Sequence, residues 1–87
     1  MIRIDSIWLA TEPMDMRAGT ETALAKVIAV FGAAQPHCAY LFANRRANRI
    51  KVLVHDGFGI WLYAPGNPVL RNVIAWKAMT GGAILMT

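Results

Sequence analysis

The apolar positions fall into three kinds of pattern along the chain. Between Ile4 and Ala10 they cluster, with Ile7, Trp8 and Leu9 in a row. A short apolar run of that length predicts a buried strand. Thr11-Glu12-Pro13 ends it, because proline has no amide hydrogen to give to a ladder. From Met16 the spacing becomes helical. Met16, Ala23, Leu24, Val27, Ile28 and Phe31 recur at intervals of three and four and form one stripe, with Arg17, Glu21, Ala25 and Lys26 away from it. Asp15 stands where a helix N-cap is expected, and Gly32 where a helix should stop. Gly19 inside this helix costs about 1 kcal/mol relative to alanine unless another backbone approaches there.

Three further strands are predicted at residues 40–43, 48–55 and 58–64. Asp56-Gly57 between the last two is a strong hairpin signal. A two- or four-residue loop there sets Ile50, Val52 and Val54 on one face with Trp61 and Tyr63. Arg49, Lys51, Leu53 and His55 then share the other face with Ile60 and Leu62. The first face is wholly apolar and is expected to carry the helix. The second is half basic and is expected to be solvated at one end or covered by a partner. Pro65-Gly66-Asn67-Pro68 then breaks the pattern, Val69 to Met79 has a weak helical period, and residues 81–87 have none. The expected fold is α+β: a mainly antiparallel sheet of three or four strands, with one long amphipathic helix packed on one face. Residues 1–64 form the domain and 65–87 a divergent tail.

Composition narrows the function. A chain of 87 residues allows one domain with a thin core. A multidomain enzyme, a complete transposase, a polymerase and a kinase are excluded. At 56% hydrophobic and 16% charged residues it is no disordered tail. That apolar fraction exceeds what so small a domain hides, which points to a partner or a homo-oligomer. A net charge of +4 and a pI near 9.9 suit an anionic partner, although ordinary solubility charge gives the same balance. Cys38 is alone and cannot form an intrachain disulfide. With His37 and His55 it supplies too few ligands for a zinc site, so neither metal nor cofactor is expected. Met1 to Pro13 holds no long apolar run, and the longest uncharged stretch, Val27 to Asn44, contains Gln35, Pro36 and His37. No leader, no membrane span and a reducing cytoplasmic location are expected.

The charge is unevenly placed. Arg45, Arg46, Arg49 and Lys51 lie within seven residues, the first pair at an expected hairpin tip between Asn44 and Asn48. A basic hairpin can enter a groove or follow a phosphate backbone, and the planar guanidinium meets phosphate with two hydrogen bonds. The same residues also suit a solvated turn that guards an edge strand, or an acidic protein partner. Arg17 is a second oddity, since a cation in a first helical turn opposes the helix dipole. It can pair with Asp15 or Glu21, or bind phosphate. Catalysis has little support. Asp15 suits a cap and Asp56 a turn, and neither a phosphate loop nor a nucleophile elbow is present. Trp8, Tyr40, Phe42, Trp61 and Tyr63 could stack on bases, but their strand spacing fits a core.

The run WLATEPMDMRAG, a helix, and then YLFANRRANRIKVLVHDGFGIWLYA resembles the TnpB accessory proteins of insertion-sequence-66 type bacterial transposons. The resemblance spans roughly residues 7–64. It rests on Asp15-Met16-Arg17 with Gly19, on Asn44-Arg45-Arg46, on Arg49-Ile50-Lys51, and on Asp56-Gly57 with Gly59 and Trp61-Leu62-Tyr63. It implies a protein encoded beside a separate DDE-type transposase and used in moving the element. With so little support for catalysis in the residues, a non-enzymatic protein is expected. The family usually has a small residue and an acid where this chain has Ala47 and Asn48. It also continues into a basic aromatic segment that APGNPVLRNVIAWKAMTGGAILMT does not match. The expectation is a chain truncated or frameshifted after about Ala64, with no inherited role for Arg71, Trp76 or Lys77.

Two readings follow. In one, Arg45 and Arg46, with Arg49, Lys51 and Arg17, bind DNA at the element's ends. Four phosphate contacts would give a log–log salt slope of about −3.6. In the other, the mixed sheet face around Leu53, Ile60 and Leu62 docks on the transposase without touching DNA.

Overall fold

The run Cys38–Ala43 (CAYLFA) has no polar residue to offer solvent, and it occupies the centre of the molecule. A strand covered on both faces reads as such an unbroken apolar run. The computed structural model describes residues 4–68, 71–72, 75, 79 and 84–86. In chain order the elements are β1 (Ser6–Leu9), α1 (Thr20–Phe31), β2 (Cys38–Ala43), β3 (Ile50–His55), β4 (Ile60–Tyr63) and β5 (Ile84–Met86). They form one five-stranded sheet in the order β4-β3-β2-β1-β5.

The sheet is mixed, which corrects the expectation of a mainly antiparallel sheet. β2, β3 and β4 form an antiparallel meander joined by short turns. β1 lies parallel to β2 because α1 carries the chain back between them, and parallel neighbours require such a crossover. β5 adds parallel to the other side of β1. The stretch between Tyr63 and Ile84 therefore joins one edge strand to the other. Within it Pro68, Arg71, Asn72, Ala75 and Met79 are helical and exposed, in keeping with the weak period there. The other residues of 69–79, including Trp76 and Lys77, lie outside the described residues.

The helix is shorter than expected, with 12 residues. Asp15 does not cap it. The extended Gly19 is the N-cap, with no side-chain cap bond, and its carbonyl accepts the Ala23 amide at 3.1 Å. Gly19 thus stands outside the helix interior and incurs no interior penalty. At the far end Gly32 adopts φ 83° and donates its N–H to the Ile28 carbonyl at 2.8 Å, so the expected stop is observed.

The register of β3 on β4 follows the expected alternation, with Val54 opposite Trp61 and Val52 opposite Tyr63. The helix, however, packs on the other face from the one expected. Ala23, Val27, Leu24 and Phe31 meet Tyr40, Phe42, Leu53, Ile60 and Leu62. Trp8, Phe31 and Tyr40 form a tilted aromatic row, with ring centroids 4.7 and 5.2 Å apart. The opposite face is buried too, around Ile4, Ile7, Ala39, Leu41, Val52 and Val54. Lys51 makes the mixed face compatible with the helix. It lies beside the segment that precedes α1, where its ammonium meets a carbonyl while Leu53 takes the core position.

Candidate nucleic-acid interface

The turn between β2 and β3 is built by one amide side chain. Asn44 Oδ1 accepts the backbone N–H groups of Asn48 at 3.0 Å and Arg49 at 3.2 Å. Its Nδ2 donates to Asn48 Oδ1 at 2.7 Å. The backbone closes the same loop, with the Asn44 N–H on the Arg49 carbonyl at 3.1 Å and the Ala47 N–H on the Asn44 carbonyl at 2.9 Å. Ala47 takes the left-handed φ of 57° that this path requires. Arg45 and Arg46 are thereby held at the apex, and residues 45–49 are all exposed.

A second segment is fixed beside this tip. The Met14 N–H bonds the Ala43 carbonyl at 2.9 Å while the Met14 side chain is buried in the helix-side core. Asp15 then clamps Arg17. Its Oδ1 accepts the Arg17 amide at 2.8 Å and Nε at 3.3 Å, and its Oδ2 takes Nη2 at 3.0 Å. These bonds, with the Arg17 and Lys51 charges adding to them, hold the Asp15 carboxyl down at about 2 and push Arg17 further up. The Arg17 side chain is still 91% exposed. The Ala18 N–H closes the turn on the Asp15 carbonyl at 3.0 Å, and Lys51 Nζ donates to the Ala18 carbonyl at 2.8 Å.

Between the two segments lies a groove of about 430 Å³, lined by Pro13, Met14, Asp15 and Met16 on one side and Asn44, Arg45 and Arg46 on the other. Residues 28 or more positions apart thus meet at one surface. Of the expected site residues, Arg45 and Arg46 line the groove and Arg17 belongs to the segment beside it. Arg49 instead lines a different groove of about 390 Å³, with Ala47, Asn48, Ile50, Pro65 and Gly66. Lys51 is committed to the Ala18 carbonyl rather than held out as a free cation.

Helical spacing assigned Met16 to the core and left Met14 out, and the structure reverses them: Met14 is buried, and Met16 is half-buried at the groove. Their alternation in Met14-Asp15-Met16 was the available signal, because an extended segment turns successive residues to opposite sides. Trp8, Tyr40 and Phe42 are in the core as expected, but Trp61 is not. It is 53% exposed, with its Nε1 donating to Asp56 Oδ2 at 2.9 Å. Asp56 takes its expected turn role, accepting the Phe58 and Gly59 amides at 2.8 and 2.9 Å, which lowers its pKa. The face around Leu53 is closed, since Leu53 is 0% exposed beneath α1. Among the described residues no group of three or more His, Cys, Asp and Glu could hold a metal, and no helix is long and apolar enough to cross a membrane.

The fold and its surface define a small mixed-sheet α+β domain in which two loops meet at a groove edged by Arg45 and Arg46. Residues 5–65, which run from just before β1 to just past β4, match the family model described as IS66 Orf2 like protein (TnpB_IS66). The chain belongs to that family, the transposition-associated accessory proteins of an insertion sequence. No curated protein and no solved structure matches the chain.

Proposed function

We propose that this accessory protein is non-catalytic and binds DNA at the ends of its insertion sequence, with the Asn44–Arg46 tip and the Pro13–Met16 segment straddling one phosphate backbone. The observation that carries the reading is the groove itself, which joins the Asp15-Met16-Arg17 and Asn44-Arg45-Arg46 motifs into one concave surface. Arg45 and Arg46 point from a loop of fixed shape, so little ordering entropy opposes a two-pronged contact with phosphate oxygens. Arg17 contributes less, because Asp15 already neutralises part of its charge. Lys51 acts indirectly, by holding the Ala18 carbonyl and with it the far wall of the groove.

The test is fluorescence anisotropy of the protein with labelled DNA from the element's terminal repeat, against scrambled duplex, over a salt series. Two to three phosphate contacts give a log–log slope of about −1.8 to −2.7, shallower than the four-contact value. The Arg45→Ala/Arg46→Ala double variant should flatten that slope by about 1.8. Preference for the repeat would make the protein a specificity factor. Failure of folded protein to bind either duplex at low salt sinks the reading. The transposase-docking alternative would then take its place, on a surface other than the closed face around Leu53.

A further inference from the structure

β4 is the outer strand at one edge of the sheet, and among the described residues β3 is its one neighbour. Ile60–Tyr63 carries neither charge nor proline, the usual guards of an edge strand. Its hydrogen-bond phase can be read from the turn. The Asp56 N–H donates to the Gly59 carbonyl at 3.2 Å, so in the same register Trp61 with Val54 and Tyr63 with Val52 are the hydrogen-bonded pairs. The backbone groups of Ile60 and Leu62 therefore point away from β3. Just before this strand Phe58 is 100% exposed. Just after it Pro65 and Gly66 help to form the groove of about 390 Å³ that contains Arg49. A knob and a groove thus stand at opposite ends of one unguarded edge.

We infer that two copies of the chain pair β4 with β4, antiparallel, about a two-fold axis at Trp61, and that Phe58 of each copy enters the Arg49–Pro65 groove of the other. A two-fold axis normal to the sheet keeps each face on its own side, so residues of like parity must stand opposite one another. Centring on Trp61 sets Ile60 against Leu62 of the partner subunit, and Leu62 against Ile60 of the partner subunit. These are the residues whose N–H and C=O groups point outward. Phe58 then lies opposite Ala64 of the partner subunit, next to the groove. Charge selects the same arrangement. Asp56 is at the Phe58 end of the edge and Arg49 at the other, so antiparallel pairing brings unlike charges together. Trp61, tied to Asp56 and half-exposed, meets its own copy across the axis. The pairing leaves Arg45 and Arg46 free, so it is independent of the DNA-binding reading.

Sedimentation velocity over a concentration series is the first test, and a reversible dimer is expected. Phe58→Ala should weaken it at least tenfold, and Trp61→Lys, which sets two ammonium groups face to face, should leave a monomer. Both positions are exposed, so circular dichroism should show the fold retained. Amide exchange gives a second readout: Ile60 and Leu62 gain protection as dimer forms, while Trp61 and Tyr63 are protected in monomer and dimer alike. A chain that stays monomeric, a dimer indifferent to both substitutions, or a dimer with unprotected Ile60 and Leu62 amides would each overturn the inference.

Discussion

The two hairpin tips of this domain use one device to opposite ends. At the β2–β3 tip, Asn44 gathers the amides of Asn48 and Arg49; at the β3–β4 tip, Asp56 gathers those of Phe58 and Gly59. Each loop shape is thus set by one polar side chain at its base. The residues at the apex are released from shaping the turn. One tip spends that freedom on Arg45 and Arg46, the other on Phe58. The tips also differ in how they reach left-handed backbone. The first uses Ala47 at φ 57°, where a side chain is disfavoured. The second uses Gly57 at φ 96°, where the His37 ring stands 2.8 Å from the place a Cβ would occupy. One tip is locally strained but open, and the other is unstrained but enclosed by a residue from another loop.

The largest effect expected from this contrast is at Gly57. Gly57→Ala should lower the unfolding free energy by about 3 kcal/mol, the sum of ~1–2 for left-handed backbone and ~1–3 for overlap with His37. Urea titration in a His37→Ala background separates the two, because only the backbone part, about 1–2 kcal/mol, should remain there. Equal losses in both backgrounds would reduce Gly57 to a local turn residue and remove the contrast. Next in size is Asn44→Ala. It removes three side-chain hydrogen bonds from the basic tip and should cost about 1–2 kcal/mol. Asn44→Asp, which keeps an acceptor for the two amides, should recover most of that stability. No loss in the alanine variant would mean that the backbone bonds alone hold the arginines. The smallest effect is a gain: Ala47→Gly relieves the left-handed alanine and should raise stability by about 0.5–1 kcal/mol, net of the extra freedom of the unfolded chain. Thermal unfolding would show a midpoint higher by about 4 °C, and an unchanged or lower midpoint would contradict strain at that position.

Much of the meander was legible in the residues. Asp56-Gly57 and the alternation on either side of it set which residues of β3 and β4 share a face, the four-residue loop being the structure's choice, and Gly32 set the end of α1. Both are local signals, complete within a few residues. The start of α1 is not legible locally, because Asp15 has two short-range uses, capping a helix or clamping the amide two residues on. The choice between them depends on Met14, which the core and the Ala43 carbonyl hold beside β2. Apolar content alone points to the wrong face for the helix. A lysine beside Leu53 counts against a buried face until its ammonium is seen to reach the Ala18 carbonyl, 33 residues away in the chain. The basic cluster was visible from the start, but its division was not. Arg45, Arg46, Arg49 and Lys51 are neighbours in sequence, whereas in the structure they belong to one groove, another groove and a structural bond.

By itself, then, the sequence determined the two turns, the faces that β3 and β4 share, an apolar strand at residues 40–43 and the family to which the chain belongs. Hydrogen-bonding side chains, strand parity and glycine backbone act over a few residues and leave their mark in the local pattern. Only the tertiary structure decided the parallel placement of β1 and β5, the face that α1 covers, and the meeting of Pro13–Met16 with Asn44–Arg46. Those depend on which distant segments share a core, and burial is a property of the whole packed chain rather than of any window within it.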